Sequence, residues 1–426
     1  MIRFYNGKVM MMQKGIETEN IEVWTDNDKI SFVGIPSAED LQNRHFDREY
    51  DLKGNLLMPS FKNAHTHSAM TFLRSYADDL PLQDWLFKQV FPMEAKLDGE
   101  KVYWLTKLAI LEYLTTGCTA AFDMYFELDD YVKACTESGF RSVLCGSISG
   151  DSSALERLEN NYLKYNGKSP LISFMLGFHA EYTCEKELIE GVGKLAAKYK
   201  APVAVHNSET AKEVRECAEK YGVTPTKLFD SFGIYDFGGA GFHCVYMSDE
   251  DLNIFKNKGV YAVHCPGSNV KLASGIAPIT KMQSMGINIA LGTDGPASNN
   301  CLDMFREMFL MTGLQKIACN DASACPADKV LQAATIGSAR AMTLSDCDCI
   351  AAGKQADLIV IDLDQPNMQP LNNIGKNIVY SGSKQNVKLT MCAGKILYEN
   401  GDFFIGEKPE TIYKKANEII GSMKNS

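Results

Sequence analysis

The chain has 426 residues, of which 45% are hydrophobic and 23% are charged, and its formal net charge is −10 at pH 7. This composition allows a large buried core and excludes a disordered chain. The acidic balance argues against a nucleic-acid polymer as partner, because phosphate backbones are bound by basic surfaces. No signal-like segment and no bilayer-length apolar run is apparent, so the sequence predicts a cytoplasmic protein that does not bind membranes.

Strand and helix patterns divide this α/β chain into three stretches. Residues 1–57 mix short β-prone runs with polar turns, which predicts the first part of a small β-sandwich domain. From 58 to 344, β-prone runs alternate with helical stretches, as in repeated βα units around a parallel sheet. Residues 345–426 return to strand-like alternation. They are expected to complete the β-sandwich from the other chain end and to add a C-terminal helix.

Eight candidate strands lie in the middle stretch, and eight is the number that closes a (β/α)8 barrel of the TIM type. Helical periodicity between them, for example in 185–199 and 248–258, predicts the covering helices. The candidate strands lie near residues 56–61, 118–124, 141–147, 171–178, 202–206, 239–243, 260–264 and 287–293.

Six of the seven histidines lie at or just past the C-terminal end of a predicted barrel strand. In a (β/α)8 barrel this is the face where catalytic residues meet, while the opposite face serves stability. The distribution therefore indicates an active site at that face. The six are His65, His67, His179, His206, His243 and His264.

Four residues at these strand ends form a candidate metal site. His65 and His67 are two apart, so an extended strand would project both imidazoles to one face. His206 ends another apolar strand, and Asp294 follows a strand too apolar to end in a carboxylate without a cation or donors. Taken singly, each histidine is equally compatible with a hydrogen-bonded core or loop position. Together, the four side chains suit one zinc ion per subunit with a water at the open position, although iron accepts the same ligands.

Glu209 is the candidate proton shuttle, because it lies three residues after His206 and can face the metal water from the following loop. A deaminase needs a group that protonates a ring nitrogen and later passes a proton to the leaving ammonia. One carboxylate can do both. The alternative is a helix-starting glutamate with no catalytic partner.

These residues resemble the amidohydrolase superfamily, specifically its methylthioadenosine and S-adenosylhomocysteine deaminase family, to which triazine chlorohydrolases are related. The resemblance runs over nearly the whole chain. It is strongest in 58–67, 84–94, 177–179, 206–210, 264–269, 292–295 and 298–300.

The resemblance implies a role for each site residue. The matching family positions bind the metal through His65, His67, His206 and Asp294, and handle the attacking water and protons through His243, Glu209 and Asp294. Substrate contacts are implied for Trp85 against the nucleoside, Glu94 on the ribose hydroxyls and His179 on the base, with Glu209 and Asp294 also touching the substrate. For Trp85 and Glu94, a core aromatic and a solvated helix charge remain the alternatives.

One departure from the family bears on the substrate. Gly146 stands where members that accept S-adenosylhomocysteine carry an arginine, and glycine cannot bind a carboxylate in bidentate fashion. Arg157 resembles a second family arginine, and a surface role for it is equally compatible with the sequence.

The expected function is hydrolytic deamination of a small-molecule nucleoside, by attack of a metal-bound hydroxide. The substrate is 5'-methylthioadenosine, adenosine or a similar adenosine, with S-adenosylhomocysteine less favoured. The alternatives are a deaminase of a free base such as guanine or cytosine, a chlorohydrolase, and a non-catalytic scaffold. A homo-oligomer is compatible with the fold class.

Overall fold

A computed structural model describes residues 1–13, 15–42, 44–76, 78–80 and 82–425, without the side chains of residues 82, 83 and 425. The strands are β1 Ile2–Tyr5, β2 Lys8–Met10, β3 Thr18–Glu19, β4 Glu22–Asp26, β5 Lys29–Gly34, β6 Arg48–Asp51, β7 Leu56–Pro59, β8 Phe61–Thr66, β9 Cys118–Tyr125, β10 Arg141–Gly146, β11 Ile172–Phe174, β12 Leu176–Gly177, β13 Val203–Asn207, β14 Gly239–His243, β15 Tyr261–His264, β16 Asn288–Leu291, β17 Leu358–Ile361, β18 Val387–Cys392, β19 Lys395–Glu399 and β20 Asp402–Phe403.

The helices alternate with the strands over the middle of the chain. The α-helices are α1 Ala38–Gln42, α2 Leu82–Trp85, α3 Phe91–Glu94, α4 Gly99–Thr115, α5 Leu128–Ser138, α6 Ala154–Tyr165, α7 Lys186–Tyr199, α8 Ala211–Tyr221, α9 Pro225–Ser231, α10 Asp249–Lys258, α11 Pro266–Lys271, α12 Ile279–Met285, α13 Met304–Cys319, α14 Ala327–Gln332, α15 Ser338–Ala341, α16 Ile374–Tyr380 and α17 Pro409–Asn425. Short 3-10 turns span Ser68–Leu73, Glu181–Thr183, Ser345–Cys347, Pro366–Met368 and Lys384–Asn386, and π-helical turns span Leu86–Val90 and Ala333–Gly337.

Two parallel sheets form the wall of a barrel, with strand orders β11-β10-β9-β8 and β12-β13-β14-β15-β16. They adjoin at both edges. Just after β16, the Asp294 N–H donates to the carbonyl of His65 in β8 (3.0 Å), and the Met175 N–H, between β11 and β12, donates to the carbonyl of Leu144 in β10 (2.9 Å). Since β11 and β12 together supply one strand position, the wall has the eight strands of a TIM-like barrel, as the sequence predicts.

The first barrel strand lies further along the chain than expected. The sequence predicts it near 56–61, but β7 (Leu56–Pro59) pairs antiparallel with β17 and parallel with β2, outside the barrel. The barrel begins with β8 (Phe61–Thr66). Every residue of β7 and of β8 is buried, and the apolar run of β7 is followed within two residues by Phe61, so hydrophobicity alone does not separate the two strands.

The interior of the barrel is filled below the site. Alternate residues of the strands point inward, and their side chains pack in one cluster. That packing leaves the C-terminal ends of the strands as the face on which a ligand can bind. The cluster includes Ala64, Phe122, Val143, Ala204, Phe242, Val263 and Ala290.

Strands from the two chain ends form a four-stranded sheet of order β5-β4-β1-β6 and a seven-stranded sheet of order β20-β19-β18-β17-β7-β2-β3, the second of which combines both ends. Pairing of Met58 with Ile359 joins the ends directly. A buried cluster that includes Phe4, Val23 and Leu389 draws on both sheets. The sandwich arrangement and the boundaries at 57/58 and 344/345 stay predictions.

The C-terminal helix is present as α17 (Pro409–Asn425), which packs on α4. Over the described ranges, none of the helices combines the length and the apolar character that a membrane crossing requires. The expected cytoplasmic location stays a prediction.

Candidate active site

Most of the predicted site residues line one cavity at the C-terminal ends of the barrel strands. His65 does not line it, being fully buried with its ring against those of His67, His206 and His243. The cavity is lined by His67, Met70, Trp85, Leu86, Phe91, Glu94, Met124, Tyr125, Phe126, Ser147, His179, Tyr182, His206, Glu209, His243, Leu272, Asp294 and Ser298.

Imidazole nitrogens converge on the Asp294 carboxylate. The Nε2 atoms of His65 and His67 lie 3.3 Å and 3.2 Å from Asp294 Oδ1, and His243 Nε2 lies 4.0 Å from Asp294 Oδ2. Ligand atoms of His65, His206, His243 and Asp294 all lie within 4.8 Å of one another. The sequence predicts His67 as a metal ligand and leaves His243 outside the ligand set. In the structure this group contains His243 and not His67, although His67 Nε2 lies 3.2 Å from Asp294 Oδ1.

Three of the imidazoles are oriented by hydrogen bonds at Nδ1. Each acceptor is a carbonyl oxygen, so Nδ1 carries a proton and Nε2 is the nitrogen that can bind a cation in the neutral ring. Such partners fix ring orientation in metal sites. The pairs are His67 Nδ1 with the Met124 carbonyl (2.7 Å), His206 Nδ1 with the His179 carbonyl (2.7 Å) and His243 Nδ1 with Asn269 Oδ1 (2.8 Å).

The cluster fits a metal ion. Neither ring nitrogen of His65 has a hydrogen-bond partner among the described residues. Burial lowers the pKa of His65 to about 3, so its ring is neutral. A neutral nitrogen facing a carboxylate oxygen is repulsive unless a cation lies near both. Imidazole nitrogens with one carboxylate oxygen are a suitable donor set for zinc.

The charges around Asp294 also favour a cation. Burial by itself would raise the pKa of Asp294, but the neighbouring imidazoles of His65 and His67 hold it well below its usual range. Burial lowers the pKa of His67, but Asp294 outweighs burial and raises it to about 9. Without a metal ion, a proton on His67 therefore supplies the positive charge beside Asp294, and a bound cation would take the place of that proton.

Two serines that the sequence did not single out orient the carboxylate. Ser268 and Ser298 each donate to Asp294 Oδ2, at 2.7 Å and 2.6 Å, which leaves Oδ1 for the imidazoles. Asp294 adopts a left-handed backbone conformation (φ 60°), which costs energy for a residue other than glycine. Both serines lie in segments that carry the family resemblance, and that is the only signal for them in the sequence.

Glu209 and His243 form the candidate acid–base pair. Glu209 lies two residues after β13, and His243 is the last residue of the neighbouring parallel strand β14, where it pairs with Asn207. Glu209 Oε1 lies 4.0 Å from His243 Nδ1 and accepts a hydrogen bond from Ser274 Oγ at 2.9 Å. Burial lowers the pKa of His243, but the charges of Glu209 and Asp294 raise it overall. The pair can therefore exchange protons with a ligand in the cavity.

Trp85 and Glu94 also line the cavity, and they come from a segment that carries none of the imidazoles. Trp85 ends α2 and Glu94 ends α3, on either side of the π-helical turn Leu86–Val90, a feature common at functional sites. Glu94 Oε1 accepts from the Tyr125 hydroxyl at 2.8 Å, and burial raises the pKa of Glu94 to about 7. Trp85 thus faces the cavity and is not only a core aromatic, and Glu94 is not a solvated helix charge.

The other two strand-end histidines differ in their surroundings. His179 lies at the cavity wall, with Nδ1 2.9 Å from Thr183 Oγ1, and burial lowers its pKa to about 4. His264 is fully buried but is not part of the cavity wall. Its neighbour Val263 packs inside the barrel, so alternation along β15 turns His264 to the outer side.

A barrel that gathers imidazoles and a carboxylate at its catalytic face is the architecture of a metal-dependent hydrolase. Residues 56–397 match the model of the amidohydrolase family, and the chain belongs to that family. This confirms the resemblance seen in the sequence.

Individual relatives extend this result. A 5-methylthioadenosine/S-adenosylhomocysteine deaminase of Thermoanaerobacter pseudethanolicus is 38% identical over 413 residues, covering 94% of this chain and 95% of its own. The crystal structure of an adenosine deaminase from Xanthomonas campestris with bound zinc superposes with a TM-score of 0.93 at 31% identity, over 100% of this chain and 99% of that one. An atrazine chlorohydrolase from Arthrobacter aurescens, complexed with zinc, shares the fold (TM-score 0.90, 20% identity, 99% and 100% coverage).

Proposed function

We propose that this protein is a metal-dependent hydrolytic deaminase of adenine nucleosides, with 5'-methylthioadenosine, adenosine or a similar uncharged 5'-substituted adenosine as substrate. One observation carries the proposal: a single cavity wall contains the Glu209–His243 pair, residues of the imidazole–carboxylate cluster and Glu94. The relatives named above, one a methylthioadenosine/S-adenosylhomocysteine deaminase and one an adenosine deaminase, support it.

The metal ligands in this proposal are His65, His67, His206 and Asp294, and the ion is zinc, with iron as the alternative. Support comes from the two Nε2 atoms at 3.3 Å and 3.2 Å from one Asp294 oxygen. When bound, the ion supplies a water acidic enough to attack near neutral pH. His243, with its Nε2 4.0 Å from Asp294 Oδ2, is placed to hold that water by a hydrogen bond.

The proton transfers are assigned to this chain's own side chains. Glu209 in its acid form donates to the ring nitrogen beside C6, which makes C6 electrophilic. Asp294, with His243 beside it, accepts one proton of the attacking water, whose oxygen bonds to C6. Glu209, now a carboxylate, takes the remaining hydroxyl proton at C6 and passes it to the amino group. The C6–N bond then breaks, ammonia leaves and C6 keeps the oxygen as a carbonyl, and the proton on Asp294 returns Glu209 to its acid form. A carboxylate that meets both the ring and the leaving group is suited to both transfers.

Recognition of the nucleoside is assigned to three residues of the cavity wall, Glu94, Trp85 and His179. The Tyr125 hydroxyl occupies Glu94 Oε1, and the remaining lone pairs of this carboxylate can accept from two vicinal ribose hydroxyls. Trp85 offers an aromatic face for packing against the nucleoside. His179, a neutral imidazole at the cavity wall, is placed to contact the base.

A cleft beside the cavity supports the preference for an uncharged 5' substituent. The cleft shares Tyr125, Phe126 and Ser147 with the cavity and is also lined by Gly146 and Arg157. Arg157 is an exposed residue of α6. Three acidic residues line the same cleft against two basic ones, Arg157 and Lys164, and Lys164 pairs with Asp129, so the cleft has no excess of positive charge to attract a carboxylate. The three acidic residues are Glu127, Asp129 and Asp130.

Ammonia release from a substrate panel tests the proposal. We expect the zinc-loaded protein to deaminate 5'-methylthioadenosine and adenosine with kcat/KM about tenfold or more above that for S-adenosylhomocysteine. Adenine, guanine and cytosine should not react, since they lack the ribose that Glu94 binds. Reaction with free bases alone would refute the nucleoside assignment, and chloride release from a chlorotriazine would support the chlorohydrolase alternative. A protein without stoichiometric metal or turnover would be a scaffold.

A further inference from the structure

The loop that carries Glu209 rests on a buried carboxylate, Glu213. Glu213 accepts hydrogen bonds from three successive backbone N–H groups, those of Ser208 (2.7 Å), Glu209 (2.8 Å) and Thr210 (3.2 Å). The Glu213 N–H donates in turn to Thr210 Oγ1 at 3.1 Å, which completes a capping box at the start of α8. One side chain therefore fixes the backbone on both sides of Glu209.

A second glutamate lies against Glu213. Glu181, in the 3-10 turn that follows His179, is 3% exposed, and the charge of Glu213 acts on its carboxyl group. Burial and the charge of Glu213 raise the pKa of Glu181, and burial and the charge of Glu209 raise that of Glu213. Because Glu213 accepts three backbone hydrogen bonds, it is the member of the pair better suited to carry the negative charge.

The same loop is tied to the stretch after His243. The Ser208 carbonyl accepts from the N–H groups of Val245 (3.1 Å) and Tyr246 (2.9 Å). Ser208 adopts a left-handed conformation (φ 53°), which persists only where surrounding bonds enforce it. The Glu213 carboxylate supplies one of those bonds, at the Ser208 N–H itself.

We infer that Glu213 is a positioning residue, whose carboxylate fixes the backbone of Ser208–Thr210 and thereby aims the Glu209 carboxylate at the substrate. The inference rests on the proposed role of Glu209 as proton shuttle. A displacement of about 1 Å in a catalytic group can lower a rate by about 10²-fold.

A second capping box in the next βα unit provides a matched control. Asp251 accepts from the Ser248 N–H (2.9 Å) and the Ser248 hydroxyl (2.7 Å) at the start of α10, and it is fully buried. The two boxes share the motif and the burial. Only the first one holds a proposed catalytic residue between its cap and the preceding strand.

Steady-state kinetics of three variants test the inference, with zinc content and thermal unfolding measured in parallel. Glu213→Gln keeps the size of the side chain but turns an amide NH2 toward backbone donors. We expect its kcat to fall about 10²-fold, with KM little changed and the metal retained. Glu213→Asp is shorter but keeps the carboxylate, so it should stay within about tenfold of wild type. Asp251→Asn should lose stability yet stay within about twofold in kcat.

The outcomes separate the inference from the proposed function. A Glu213→Gln enzyme as active as Asp251→Asn, or more active than Glu213→Asp, would show that Glu213 only fills space and would overturn the inference. If Glu213→Gln does not fold, the ranking of Glu213→Asp below Asp251→Asn still decides in its favour, and equal kcat values decide against it. A zinc-loaded wild type that deaminates no nucleoside overturns the proposed function, and the inference with it.

Discussion

We call the part of the cavity wall around Asp294 and the imidazoles the metal end, and the part formed by Trp85, Glu94 and their neighbours the nucleoside end. At the metal end, polar side chains are held by fixed partners, whereas the nucleoside end is lined mainly by aromatic and apolar groups. Asp294 Oδ2 takes bonds from two serines, and the Nδ1 atoms of His67, His206 and His243 are all committed. Glu94 at the nucleoside end accepts a side-chain hydrogen bond from the Tyr125 hydroxyl, among residues such as Trp85, Leu86, Phe91 and Phe126.

The difference indicates which end sets the rate and which selects the substrate. Groups that stabilise a transition state must be preorganised, and the buried bonds around Asp294 and Glu209 provide this. An apolar wall discriminates weakly between similar ligands, so substrate choice depends on a few polar contacts placed in it. Changes at the metal end should therefore lower kcat strongly, and changes at the nucleoside end should alter KM and substrate ratios.

Replacing the central carboxylate should have the largest effect. Asp294→Ala removes the group on which His65 and His67 converge, so we expect zinc to be lost together with roughly a thousandfold or more of activity. Elemental analysis and ammonia release measure the two effects. A variant that keeps stoichiometric zinc and wild-type turnover would remove Asp294 from the site.

Glu209→Gln should separate chemistry from metal binding. The amide cannot relay a proton, so kcat should fall by about 10²- to 10⁴-fold while zinc content is unchanged, because Glu209 lies outside the predicted ligand set. Ser274→Ala is the matched control, since it removes only the hydrogen bond to Glu209 Oε1 and should cost much less. Equal turnover in Glu209→Gln and wild type would exclude Glu209 as the proton shuttle.

Much of this arrangement could be predicted from strand ends alone. Parallel barrel strands all end at one face, so His65, His206 and Asp294 had to meet there once the βα pattern was recognised. The same rule is silent on side-chain direction, and it counted His264, which the alternation of β15 turns away from the cavity. It also could not show that a ligand atom of His243 lies within 4.8 Å of those of His65, His206 and Asp294.

The residues that orient Asp294 and His243 by hydrogen bonds could not be predicted from strand patterns, for a physical reason. Ser268, Asn269 and Ser298 lie in loops and short helices, where polar side chains follow no periodicity and their partners are far along the chain. The first barrel strand was misplaced because the apolar run of β7 is followed almost directly by Phe61, the first residue of β8. Only pairing with β17, from the distant chain end, distinguishes β7 from a barrel strand.

At the nucleoside end, Glu94 should give a pH-dependent KM. Burial raises its pKa to about 7, and the carboxylate is the form that accepts ribose hydroxyls. That form increases as pH rises through about 7, so KM for adenosine should fall over the same range. Glu94→Gln should raise KM about tenfold at pH 8 and remove the pH dependence.

Tyr125→Phe tests whether Glu94 is the group whose titration changes KM. The Tyr125 hydroxyl lowers the pKa of Glu94, so its removal should shift the fall in KM to higher pH. KM values measured from pH 6 to 9 for wild type and both variants test this. An unchanged profile in Glu94→Gln would assign the titration to another group.

The smallest expected effect is a change in substrate preference at Gly146. A Cβ added there would meet side-chain atoms of Phe174, Ile148 and Leu158 at 3.6 to 3.9 Å, which is ordinary contact, and the backbone is outside the left-handed region. Gly146→Arg can therefore place a guanidinium in the cleft beside the cavity. We expect it to raise kcat/KM for S-adenosylhomocysteine relative to 5'-methylthioadenosine by about tenfold.

Gly146→Gln is the control for this gain, because it adds a polar side chain without the charge. If the preference depends on a carboxylate contact, the ratio of the two kcat/KM values should rise only with arginine. The rise should also weaken at high salt, because charged residues of the cleft such as Arg157 are exposed and salt screens exposed charges. An equal rise with glutamine would mean that added contact area, and not charge, selects the substrate at this end of the cavity.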